Sequence, residues 1–103
     1  MPKHEFAWLL DDRTRVVVIF VNSGRAVVRF VVKLQYFKDG EWAEVSRYDV
    51  FHGYVHRDMI GKDAEKSRTI KFEFLDMKSG LDAAIVDFKA NYRSYVERWL
   101  YGK

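Results

Sequence analysis

"AVVRFVVKLQYF", residues 26–37, decides the fold. Its β-branched and aromatic residues recur at a step of two, so Ala26, Val28, Phe30, Val32, Leu34 and Tyr36 share one face of an extended strand. Arg25, Arg29, Lys33 and Gln35 fall on the other face with Val27 and Val31. The first face is expected in a core and the second on the wetter side of an antiparallel sheet. Upstream, "RVVVIFVN" (15–22) is a second β-branched run, set apart by "SGR". Downstream, "KDGE" (38–41) turns the chain, Asp-Gly being a strong hairpin signal, and "EWAEVSRYDVF" (41–51) returns as a strand. After the polar loop "GKDAEKSR" (61–68), "TIKFEF" (69–74) alternates again, with Ile70, Phe72 and Phe74 on one face. "HEFAWLL" (4–10) is read as an edge strand before the "DDR" turn, although its apolar residues do not alternate.

From Ser79 the period changes. Leu81, Ala84, Ile85, Phe88, Tyr92, Tyr95, Trp99 and Leu100 recur at three- and four-residue steps, and Asp82, Lys89, Arg93 and Glu97 line much of the opposite side. Ser79 is placed to cap the helix, and Asp82 to favour the positive end of its dipole. The fold class is therefore α+β: an antiparallel sheet of four to five strands with one long C-terminal helix packed on one face, in a single domain over residues 1–103.

Composition narrows the function classes. With 49% hydrophobic and 32% charged residues the chain has the balance of a soluble globular protein. Its longest apolar run, Val16 to Val21, is far short of the roughly 20 residues of a membrane span. "MPKHEFAWLLDD" lacks the layout of a signal peptide, so a cytoplasmic location is expected, with no membrane partner. The absence of Cys excludes disulfide and thiolate chemistry, and one Gln with two Asn suits a thermophile. The net charge of +3 has no concentrated stripe, which argues against a channel for long duplex DNA.

Chemistry gathers in "RYDVFHGYVHRD", residues 47–58, which holds two of the three histidines. Cleavage of RNA through its own 2′-hydroxyl needs a base, an acid and a cation for the phosphorane oxygens. His52 and His56 can supply acid and base near neutrality and Arg57 the cation, with Tyr48, Asp49, Tyr54 and Asp58 in support. This mechanism uses no metal and no cofactor. A metal alternative joins His52, His56 and Asp58, which the β-patterned context and Gly53 disfavour as a helical His pair. A structural alternative has Arg57 pairing with Asp49 or Asp58 and Gly53 supplying a left-handed turn. Tyr92, Tyr95, Trp99, Trp8 and Trp42 read as packing residues, and Arg25, Arg29 and Lys33 as a solvated sheet face.

The same segment, with "LDAAIVDFKANYRSYVERW" (81–99), resembles the TumE-like small proteins of bacteria and archaea. The positions that carry the resemblance are Arg47, Tyr48, Asp49, Gly53, His56, Arg57, Asp58, Asp87, Phe88, Glu97, Arg98 and Trp99. It implies a toxin of a toxin–antitoxin pair that acts on RNA, with a helix-turn-helix antitoxin encoded beside it. Asp58 stands where such relatives often have a second His, leaving His52 to replace that function. The alternative class is a non-enzymatic protein-interaction module, binding a partner or a second copy. A homodimer is expected in either case, because strand 15–22 is apolar on both faces.

Overall fold

A computed structural model describes residues 2–51, 54–61, 66–72 and 76–102, with residues 51 and 66–72 described by their backbone only. Among the described residues six strands, β1 (Lys3–Leu9), β2 (Thr14–Ser23), β3 (Ala26–Lys38), β4 (Glu41–Phe51), β5 (Tyr54–Ile60) and β6 (Lys66–Phe72), precede one helix, α1 (Met77–Tyr101). Each strand pairs antiparallel with the next in the chain, giving a single sheet in the order β1-β2-β3-β4-β5-β6. The α+β class, the antiparallel sheet and the helix on one face are those the periodicities imply. Among the described residues the strand count rises to six because the histidine segment, assigned no strand of its own beyond residue 51 from its sequence, is itself strand from Tyr54 onward. Strand also begins at Lys66, inside the stretch read as a polar loop.

The turn between β3 and β4 is built as its Asp-Gly signal requires. Asp39 (φ 55°) and Gly40 (φ 82°) both take left-handed angles, the combination of the tight hairpin turn that matches strand twist.

Alternation in β3 holds from Phe30 onward, where Phe30, Val32 and Leu34 are buried beneath α1. Its first residues depart from the reading. A bulge between Val21 and Asn22 sets Asn22 opposite Val27, so Val27 packs on the core while Ala26 and Val28 are exposed. A second irregularity between Leu34 and Gln35 admits Val45 as an extra residue of β4, fully buried in the core.

The helix starts at Met77, and its cap is Asp76, not Ser79. The Asp76 carboxylate accepts the Ser79 amide at 2.8 Å, so Ser79 supplies an orphan donor instead of satisfying one. That amide holds the Asp76 carboxyl below its ordinary range. Asp82 lies beyond the first turn, which holds no acid, and pairs with Lys78 at 2.7 Å. Gly102 (φ 71°) ends the helix by returning its amide to the Arg98 carbonyl at 2.7 Å.

At about 36 Å, a 25-residue helix nearly matches the roughly 40 Å of the 13-residue β3. It runs along that strand: Met77 shares a hollow with Val27, the Phe88 ring lies 5.2 Å from that of Tyr48, and Trp99 lies 6.0 Å from Tyr36. The helix covers β3, β4 and β5, and toward β1 its Lys89 ammonium sits 5.2 Å over the Trp8 ring.

Candidate functional site

Strand alternation divides the histidine segment between two faces. Tyr48 and Arg57 are directly paired across β4 and β5 and point toward α1. Their chain neighbours, Asp49 opposite His56 and Arg47 opposite Asp58, occupy the face away from the helix. His52 lies outside the described residues.

On the helix side, Asp87 is the hub. Its carboxylate accepts the Tyr48 hydroxyl at 2.8 Å and the Asn91 amide at 2.8 Å, and the Tyr95 hydroxyl lies 2.8 and 2.7 Å from its two oxygens. The Arg57 guanidinium donates to the Tyr95 hydroxyl at 2.7 Å and forms an ion pair with Asp87 at 3.4 Å. Its Cζ atom lies 5.1 Å from the Tyr95 ring centroid and 6.0 Å from that of Tyr48. Arg57 thus pairs with neither Asp49 nor Asp58 but across the layers, with an acid on the helix.

Burial, reinforced by the hydrogen bond and negative charge of Asp87, raises both phenols above the ordinary tyrosine value: Tyr95 to about 12 and Tyr48 further. Burial works against the Arg57 charge but is outweighed by Tyr95, Tyr48 and Asp87, so its pKa is raised. At ordinary pH the cluster is a neutralised ion pair braced by two protonated phenols.

Because both phenols titrate later when folded than when unfolded, they stabilise the fold fully below about pH 10. That contribution is lost as pH rises through their folded values. Tyrosinate absorbance during alkaline titration should therefore show a late-ionising component from Tyr48 and Tyr95, together with unfolding. Six equivalent tyrosines in the folded protein would contradict the network.

On the other face, His56 Nε2 lies 3.5 Å from Asp58 Oδ2. Arg47 Nη2 approaches the same oxygen at 4.0 Å, and Arg47 Nη1 stands 3.6 Å from Glu44. Tyr54 sets its ring edge-on to His56 at 5.9 Å, and Asp49 accepts the Val50 amide at 2.7 Å. These groups are deeply placed for a sheet face without a helix: His56 is 6% exposed and Asp58 1%.

The structure thus joins Tyr48 with Arg57 on one side and His56 with Asp58 on the other, and sets the two pairs back to back. Among the described residues no group of three His, Cys, Asp or Glu side chains could hold a metal ion. Asp87, Asn91 and Tyr95 were not singled out as site residues by the sequence reading. Their signal was a spacing of i, i+4 and i+8, with Asp87 and Asn91 at the border of the apolar helix stripe and Tyr95 within it, and with Asp87 also among the resemblance positions.

A family model described as a domain of unknown function, DUF7718, matches residues 1–103. No curated protein and no solved structure matches the chain.

Proposed function

This chain belongs to the DUF7718 family, and we propose that it is a non-enzymatic protein-interaction module, acting in the cytoplasm. The observation that supports this reading is the division of the histidine segment: His56 and Arg57, adjacent in β5, face opposite sides of the sheet, each held in its own polar cluster. Metal-free RNA cleavage needs base, acid and cation around one phosphate. Here the cation is neutralised by Asp87, and the phenols beside it stay protonated at any ordinary pH. The cluster instead ties the helix to the sheet. Among the described side chains, a surface open to a partner is β1, one of the two edge strands, with Phe6 45% and Leu9 60% exposed.

The test is to incubate the purified chain with total RNA and to induce it in a bacterial host. Neither RNA cleavage nor growth arrest is expected, and Arg57→Ala should lower the melting temperature by several degrees. RNA cleavage abolished by His56→Ala and Arg57→Ala at unchanged melting temperature would overturn the module reading. It would favour a toxin-like protein acting on RNA, partnered by a helix-turn-helix antitoxin.

A further inference from the structure

The backbone of β1 shows which of its groups are already paired. The Asn22 amide donates to the Pro2 carbonyl at 3.2 Å, and the Leu10 amide to the Thr14 carbonyl at 2.8 Å. Pro2 and Leu10 flank a register in which Lys3 stands opposite Val21 and Leu9 opposite Arg15. Even-numbered residues of β1 therefore turn their backbone groups toward β2, and Lys3, Glu5, Ala7 and Leu9 turn theirs outward. No other described strand covers that edge.

Its side chains set Lys3 and Glu5 on one face and an aromatic row on the other. On the α1 side, Phe6 stacks on Trp8 at 5.5 Å and meets Phe20 edge-on at 6.3 Å, and His4 stacks on Phe20 at 4.7 Å. Phe6 nevertheless stays half exposed, and on the opposite face Leu9 is more exposed still. Neither a proline nor an inward-pointing charge interrupts residues 3–9.

Resting on the interaction-module reading, we propose that β1 pairs antiparallel with β1 of a second copy, about a two-fold axis through Phe6, so that two six-stranded sheets become one. In this register the whole of Lys3–Leu9 overlaps with itself. Lys3 meets the partner's Leu9 and Glu5 the partner's Ala7, so every outward-facing backbone group finds its complement and no charge faces its like. On the helix side His4 meets the partner's Trp8, and Phe6 meets its own copy. The acidic turn Asp11–Asp12, just past Leu9, comes beside the partner's Lys3. Centring the axis on Glu5 or Ala7 shortens the overlap to five residues, and at Glu5 it opposes two carboxylates. Self-complementarity of this kind selects a second copy over an unrelated strand. The interface is small, below about 1,200 Å², and fits a dissociation constant of about 1–50 µM.

The chain has no cysteine, so single-cysteine variants report the register directly. Facing Phe6 residues would form a non-hydrogen-bonded pair with Cα atoms about 4.5 Å apart, within disulfide range. Oxidised Phe6→Cys should become a covalent dimer almost completely, and Ala7→Cys, whose own copy lies on a diagonal, should stay largely monomeric. Sedimentation of the unaltered chain should show a dimer at about 100 µM. Ala7→Pro removes an outward amide and no intrachain bond, and should weaken the dimer more than tenfold at unchanged melting temperature. If Ala7→Pro fails to fold, the cysteine pair still decides. A monomer at that concentration, equal cross-linking by both cysteine variants, or a dimer indifferent to a folded Ala7→Pro would overturn the proposal. A monomer inert toward RNA would remove the dimer and leave the module reading, whereas RNA cleavage would remove that reading and leave the cross-linking result intact.

Discussion

Phe88→Ala should lower the unfolding free energy by about 3–5 kcal/mol, and Lys89→Ala by less than about 1 kcal/mol. The two residues are neighbours on α1 with opposite fates. Phe88 is completely buried at the middle of the helix, 5.2 Å from the Tyr48 ring and 5.8 Å from that of Tyr95. Both neighbours are fixed by their hydroxyls on Asp87, so neither can swing in to fill the space, and the cavity term remains in full. Lys89 is exposed and its ammonium does no more than rest over Trp8. Denaturant unfolding monitored by tryptophan fluorescence gives both values. A Phe88→Ala loss below about 1 kcal/mol at unchanged m-value would mean that α1 is not the lid of this core.

How much of this was legible in the sequence depends on the range of the signal. The turn at Asp39–Gly40 and the stripe Leu81, Ala84, Phe88, Tyr92 and Trp99 are local patterns, and each has the structure its period implies. The bulge at Val21–Asn22 is not local: it appears only when two strands pair, and it exchanges Val27 for Val28 at the core without a mark in either strand. Asp76 outcompetes Ser79 as cap because the helix takes in Met77 and Lys78, a boundary the apolar period could not fix. The histidine segment was dense in chemistry, but density along a chain is not proximity in space. Once residues 54–60 form a strand, neighbours in sequence become opposites in the sheet, and Arg57 finds its acid thirty residues away on the helix.

That distant acid has the second large expected effect. Asp87→Ala should cost about 2–4 kcal/mol, more than a surface ion pair contributes, because it removes one carboxylate that three part-buried groups share. The hydroxyl of Tyr48, a residue 4% exposed, loses the Asp87 carboxylate, the Tyr95 hydroxyl loses two carboxylate oxygens, and the Arg57 guanidinium keeps its charge in a site where it is 15% exposed. The cost stays below that of a fully buried pair because water still reaches the rim at Asn91. Removing both charges together should behave differently. In Arg57→Leu with Asp87→Leu no buried charge is left over, so the double variant should be more stable than Asp87→Ala and the coupling energy between the two sites should exceed about 1 kcal/mol. In Asp87→Ala the late-titrating phenols should also ionise earlier, since the carboxylate that opposed their charge is gone. A double variant as unstable as the sum of its parts, with tyrosine titration unmoved, would show that Arg57 and Asp87 act separately. The cluster would then no longer be a latch between helix and sheet, and its positive charge would again be open to a ligand.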